Sequence, residues 1–330
     1  MLNILKKIIE IPSPSGHERK LGEYIASEII DCVDEVKFDN VGNLIAFKKG
    51  TAENPRKLML AAHADELGFM VTNITDKGQL KTTEIGGVNY ASNAYNIVKF
   101  PNGTKGLLVP NADAGSGDWR KDKMYIDIGA DDKKDAEKKV NIGDIAVYPA
   151  SATKLAHKKV CGHAFDDKIG CTILLKAILE KYECVNDTYF VFTAQEEVGC
   201  RGSKTAAYAI SPDIGVAYDV CGVGDVPGSR PMEVKLGGGA AIKIKDSSVI
   251  CDERLVKCLT ALAKDNKVKY QYEILEYGGT DTSSIQMSGA GAIAGCISIP
   301  TRFIHSPNEM IDMGDCEECL ALTKALLLTI

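Results

Sequence analysis

Tryptophan occurs once in this chain of 330 residues, and aromatic residues make up only 6% of it. That leaves little with which to build the aromatic platforms of a sugar cleft. Positive charge is also short. The 39 lysines and arginines stand against 45 acids, a net charge of −6, which argues against a nucleic-acid or anionic membrane surface as the main partner. No run approaches the roughly 20 apolar residues of a membrane span. The start, Met1-Leu2-Asn3-Ile4-Leu5-Lys6-Lys7, lacks a signal pattern with a small-residue cleavage site, so a cytoplasmic protein is expected. Internal repeats and low-complexity segments are lacking. There are only five histidines, whereas cysteines number eleven, an odd count scattered through apolar segments; reduced, buried thiols are expected. Cys316 and Cys319 form the sole C-x-x-C, with no second pair or neighbouring histidine to complete a zinc site. What remains is ordinary globular composition, 45% hydrophobic and 25% charged, in a chain long enough for two domains.

Along the chain, residues 1–31 read as two helices separated by Ile11-Pro12-Ser13-Pro14-Ser15-Gly16, the second carrying Leu21, Tyr24, Ile25 and Ile29 at helical spacing. Short strands over Val36-Lys37-Phe38 and Asn43 to Phe47 flank an Asn-Val-Gly turn. The apolar run Lys57 to Ala62 then delivers His63-Ala64-Asp65-Glu66. From about Gly68 to Lys158 the texture changes to short β runs and turns with no long amphipathic helix, the look of a separate β domain inserted into the first. Helix–strand alternation returns after Cys161: a largely apolar helix from Ile169 to Lys181, strands at 189–193 and 213–219, and an amphipathic helix through Leu255, Cys258, Leu259 and Leu262 capped by Asp252. One split α/β domain follows, over 1–66 and 159–330 around an insert at 67–158, with sheet ends converging on a crevice.

The strand Tyr189-Phe190-Val191-Phe192 runs into Thr193-Ala194-Gln195-Glu196-Glu197-Val198-Gly199. Two carboxylates at the end of a buried strand are costly unless a cation or a reaction uses them. Neighbouring strand side chains point to opposite faces, so the two glutamates are expected to take different roles. Five places offer ligand-type side chains at strand ends or in loops: His63-x-Asp65, Asp166, Glu196-Glu197, Asp219 and His305. Such a His/Asp/Glu set suits zinc, cobalt or manganese in a hydrolytic site. With Asp166 bridging, His63 and Asp219 would hold one ion, and Glu197 and His305 the other. Asp65 would steady the His63 ring, Glu196 would move the proton between water and the leaving amine, and Asp167 would buttress the bridge.

These motifs resemble the co-catalytic metallo-aminopeptidases of the tetrahedral (TET), glutamyl and deblocking group. The resemblance runs through Ser13 to Glu18, Ala62 to Gly68, Gly162 to Gly170, Gln195 to Gly199, Gly278 to Asp281 and Ile299 to Pro307. It implies an α/β fold in which a split catalytic α/β/α domain with a mixed central sheet is interrupted by a β-barrel dimerisation domain. It also implies the ligand and base roles above, two divalent ions per subunit, peptide substrates, and a homo-oligomer, a dodecamer built from dimers around an enclosed cavity. In this context Gly279, Thr280 and Asp281 are expected in the wall of the substrate pocket. His163 and Lys168 depart from the family, which often has arginine at both positions; the departure bears on fine positioning or substrate contacts. A glycosidase with paired acids would leave His63 and His305 unexplained. A non-catalytic metal-stabilised assembly would have no use for Glu196. A deacylase or carboxypeptidase on a related scaffold is the nearer rival, and a free substrate amine distinguishes it.

Overall fold

Four parallel strands, covered on both faces, carry the structure. The computed structural model describes residues 1–115 and 121–330; the part of the insert at 116–120 lies outside the described residues. The four strands lie in the order Asp187–Thr193, Lys57–His63, Ile214–Cys221, Ile293–Arg302. Antiparallel strands Leu44–Lys48 and Glu35–Phe38 extend one side. Glu309–Asp312, Lys159–Gly162 and Ala152–Lys154 extend the other, and Ala240–Lys245 with Tyr270–Ile274 branches from Ile293–Arg302.

Burial along Lys57–His63 is continuous from Leu58 onward rather than alternating, as a strand covered on two sides requires. Leu58, Leu60 and Ala62 pack into one core, and Met59 and Ala61 into another. The first core lies under helices Leu2–Ile9, Arg19–Ile29, Phe165–Leu179, Glu253–Asp265 and Met313–Leu327; the second lies under Arg201–Ile210 and Asp281–Gln286. Phe165–Leu179 is buried on nearly every side, because it runs between the sheet and other helices, and its apolar character all round has that reason. Glu253–Asp265 is amphipathic and is capped by Asp252, whose carboxylate accepts from the Arg254 amide at 2.9 Å. Cys316 and Cys319 are fully buried in Met313–Leu327, and all eleven cysteines are free thiols.

The insert is a separate antiparallel sheet in the order Ile97–Lys99, Lys105–Pro110, Met124–Asp127, Leu80–Ile85, Gly68–Ile74, Ile145–Ala146. Its edges meet where Lys99 and Val147 exchange backbone hydrogen bonds of 2.8 and 3.0 Å, which nearly closes a barrel around Phe69, Val71, Leu80, Val98 and Phe100. Its described helices, Tyr90–Asn93 and Lys133–Glu137, are short. The charge run at 131–139 forms the second of these, capped by Asp132. A split α/β/α domain interrupted by a β-barrel is the observed architecture.

Glu66 sits buried at the joint between the two. One carboxylate oxygen accepts from Lys168 Nζ at 2.6 Å and the Ser13 amide at 2.7 Å, and the other accepts from His163 Nε2 at 2.9 Å. Lys168 also donates to the Ile11 carbonyl, and Tyr148 of the barrel meets the His163 ring edge-on at 5.1 Å. His163 and Lys168 thus turn to Glu66 and are absent from the lining of the main cavity. Burial pushes the Glu66 carboxyl up, but the Lys168 charge and His163 outweigh it and hold the group down at about 2. Glu66→Gln leaves a buried ammonium uncompensated and is expected to cost about 3–5 kcal/mol in urea denaturation. Because the folded value lies below the ordinary 4.5, the wild-type pair stabilises fully above about 4.5 and loses its contribution as pH falls toward about 2. The variant is expected to lack that part of the acid dependence.

Candidate active site

All four parallel strands point their C-terminal ends at one edge of the sheet, where an open α/β sheet leaves a crevice. His63 ends Lys57–His63; its register partner Thr193 ends the neighbouring strand and leads to Glu196 and Glu197. Asp219 lies near the end of Ile214–Cys221, and His305 follows Ile293–Arg302. Asp166 enters from the start of Phe165–Leu179.

Asp166 lies between the two imidazoles. Its Oδ1 is 3.0 Å from His63 Nε2, and its Oδ2 is 3.2 Å from His305 Nε2. His63 Nε2 is also 3.9 Å from Asp219 Oδ1, and His305 Nε2 is 3.5 Å from Glu197 Oε2. The side chains therefore group as His63 with Asp219 and His305 with Glu197, one pair on each oxygen of a shared carboxylate.

Local chemistry explains why these groups face inward. Gln195 takes a left-handed φ of 57°, and the amides on either side of the turn are caught by carboxylates. Gln195 N donates to Glu18 at 3.0 Å, Glu196 N to Asp65 Oδ1 at 2.9 Å, and Glu197 N to Asp65 Oδ2 at 3.2 Å. Ser15 Oγ holds Asp65 in turn, at 2.6 Å. The Asp65 carboxylate thus holds the turn while lying beside the His63 ring. The nearest acceptor for His63 Nδ1 is the Asp65 carbonyl at 3.1 Å, with the carboxylate at 3.5 Å.

On the other side, the Asp166–Asp167 peptide is cis, and Asp167 caps the regular helix by accepting from Gly170 N at 3.0 Å. A Cβ at Gly170 would lie 2.3 Å from that carboxylate, so only glycine lets the cap approach. Glu309 accepts from the amides of Phe165, Asp166 and His305 at 2.7, 3.1 and 3.1 Å. It ties together the two segments that carry the bridging aspartate and the second histidine. Sequence reasoning missed it. Its one signal was a carboxylate four residues after His305, at the head of a short strand. Glu18 and Cys200 were likewise not singled out, although the Cys200 thiol donates to Glu196 Oε1 at 3.2 Å.

The cluster carries more acid than its imidazoles balance. Burial and the neighbouring Asp166 push Glu197 up to about 8 and Glu309 up to about 8. Burial pulls His305 down, yet its hydrogen bond to Asp166 and the charge of Glu197 raise it to about 10. Burial also pushes Asp219 and Glu196 well above the carboxylate range, partly offset by His63. Glu197 Oε1 is buried with no hydrogen-bond partner. His63, Asp166 and Glu197 each present a donor atom within 4.8 Å of the others. An orphaned carboxylate oxygen among nitrogen and oxygen donors, with surplus negative charge, fits divalent cations.

The cluster opens into a cavity of about 690 Å³ lined by His63, Asp166, Glu196, Glu197, Asp219 and His305. Gly279 is on its wall. Thr280 and Asp281 lie behind the wall: Thr280 caps the helix Asp281–Gln286, and buried Asp281 accepts from Thr193 Oγ1 at 2.5 Å.

A family model, M42 glutamyl aminopeptidase, matches residues 42–322. A putative aminopeptidase of Acetivibrio thermocellus is 47% identical over 98% of this chain and 97% of its own length. Aminopeptidase APDkam598 from the archaeon Desulfurococcus kamchatkensis superposes with a TM-score of 0.94 at 35% identity, covering 98% of this chain and 93% of its own. The TET1 peptidase of Pyrococcus horikoshii, which can assemble into a tetrahedron or a large octahedral shell, superposes with a TM-score of 0.87 at 31% identity, over 100% and 99% of the two chains. The chain belongs to the M42 glutamyl aminopeptidase family, a metal-dependent group of peptide hydrolases, and is an aminopeptidase.

Proposed function

We propose that this aminopeptidase removes N-terminal residues from peptides with two divalent ions per subunit, zinc or cobalt, with manganese as a third option. His63 and Asp219 would hold one, Glu197 and His305 the other, with Asp166 shared. When bound, the ions supply Lewis acidity and lower the pKa of water in the cavity. The single observation that carries this reading is the placement of Asp166, whose two oxygens each face a different histidine that has its own second carboxylate.

Glu196 lines the same cavity and falls outside that grouping, so it is free to accept a proton from the attacking water and return it to the leaving amine. The Cys200 thiol on Oε1 steadies it. Asp65, whose carboxylate lies 3.5 Å from His63 Nδ1 and accepts from the Glu196 and Glu197 amides, steadies both the His63 ring and the turn, and Gly279, backed by Thr280 and Asp281, forms part of the substrate wall. A homo-oligomer, a dodecamer built from dimers joined through the insert at 67–158 between the parts 1–66 and 159–330, is supported by the likeness to TET peptidases, among them PhTET1-12s, a dodecamer; the last strand of that range, Ala152–Lys154, pairs with Lys159–Gly162 in the large sheet. A cytoplasmic setting is part of the same reading. No helix among the described residues is long and apolar enough to cross a membrane.

Chelator-stripped protein reloaded with zinc, cobalt or manganese is expected to hydrolyse a free-amine peptide and to spare its N-acetylated twin. Cleavage of the blocked peptide at an equal rate, or activity that survives chelation, would overturn the proposal.

A further inference from the structure

The cavity has two chemically different ends. Beyond the His/Asp/Glu cluster, three chain segments continue its wall: Val220 to Val226 after Asp219, Leu275 to Gly279, and Thr301 to Ile304 before His305. Their side chains at the cavity include Val220, Val223, Val226, Leu275, Tyr277 and Phe303. Val223 and Val226 belong to a small apolar cluster of their own, with Cys221 and Val234.

Outside the ligand residues and Glu196, the one full charge among the described lining residues is Arg302. That charge is already matched. Arg302 Nε donates to Asp225 Oδ1 at 3.1 Å, and its terminal nitrogen donates to Asp225 Oδ2 at 2.6 Å, a two-pronged pair in which both side chains are largely covered. Arg230 approaches the Tyr277 ring at 5.2 Å but is 70% exposed beside an equally open Glu276, so its charge faces water. A carboxylate or ammonium on the substrate side chain would therefore lose water at this wall and find no partner. Methyl and methylene groups would replace water with apolar contacts.

We propose that the cavity selects peptides whose N-terminal side chain is uncharged and apolar, of leucine to phenylalanine size, with Tyr277 and Leu275 as specificity-determining wall residues. The inference rests on the reading of this cavity as the substrate site. The acidic metal-binding end takes the free amine and the scissile carbonyl, and the wall takes the side chain.

The test is a panel of Leu, Met, Phe, Ala, Glu and Lys p-nitroanilides with the metal-loaded enzyme, repeated with Tyr277→Arg. Half-exposed Tyr277 tolerates a charged replacement better than buried Val220 and Val223 do. The expected result is a kcat/KM for Leu, Met and Phe at least about tenfold above Ala, Glu and Lys. Tyr277→Arg is expected to narrow the Leu-to-Glu ratio at least about tenfold, since it adds an unmatched cation to the wall. Fastest cleavage of the Glu or Lys substrate by the wild type would overturn the inference and leave the aminopeptidase reading intact. An unchanged Leu-to-Glu ratio in folded Tyr277→Arg would overturn the assignment of the wall. Release from none of the six substrates would instead strike the underlying reading of the site.

Discussion

Replacing Glu196 by glutamine is expected to lower kcat about 10²–10⁴-fold, the usual worth of a positioned general base, with little change in KM. The substitution keeps the shape of the side chain and removes its basicity. Its amide N–H still reaches Asp65, and the Cys200 thiol still has an oxygen to donate to. Glu196 also falls outside the grouping of His63, Asp219, Glu197 and His305 about Asp166. Metal content per subunit, read by elemental analysis, is therefore expected to match the wild type. That pairing of results separates a base from a ligand. A folded Glu196→Gln protein that keeps most of its kcat, or that loses an ion, would contradict the role.

Asp166→Ala is expected to act on both ions at once. Outer-sphere partners of a metal site already cost 10–100-fold in affinity when removed, so loss of a shared carboxylate is expected to exceed about 100-fold at each position. The first readout is metal stoichiometry, falling from two to at most one after dialysis against micromolar zinc. The second is thermal or urea stability. An ion present at 1,000 times its Kd adds about 4.1 kcal/mol to a protein that binds it only when folded. Wild-type protein is expected to gain such an increment on loading, and Asp166→Ala to gain little of it. Peptide hydrolysis is expected to disappear with the metal. Two tightly held ions in the variant would remove Asp166 from the centre of the site and leave each histidine–carboxylate pair to account for its own ion.

Much of the site was legible because strand burial is a local property of sequence. Leu58 to Ala62 and Tyr189 to Phe192 are unbroken apolar runs, since helices cover both faces of their strands. Any ligand-type residue just beyond such a run sits at the sheet edge. His63, Glu196, Glu197, Asp219 and His305 could be marked that way, and the structure gathers them in one cavity with Asp166. The change of texture after Gly68 marked the insert for a similar reason, because a small barrel needs short strands and tight turns.

Other assignments were beyond local pattern. Asp65, Glu18 and Glu309 are the same residue types as the cavity acids, yet each accepts from backbone amides of a distant segment. Glu18 meets Gln195 across 177 residues, Asp65 meets Glu196 across 131, and Glu309 meets Phe165 across 144. Gly279 reaches the cavity while its neighbours Thr280 and Asp281 turn behind it.

The sequence by itself determined the element types, the interruption of one α/β domain by a β domain, and the set of side chains able to do hydrolytic metal chemistry. These follow from periodicity and residue chemistry over short windows. Only the tertiary structure decided which carboxylates face the cavity and which hold the turns, that Arg302 arrives with its charge matched by Asp225, and that Glu66, at the joint of sheet and barrel, is paired with Lys168 and His163. Each of those depends on how distant segments are packed against one another, and no short stretch of sequence carries that information.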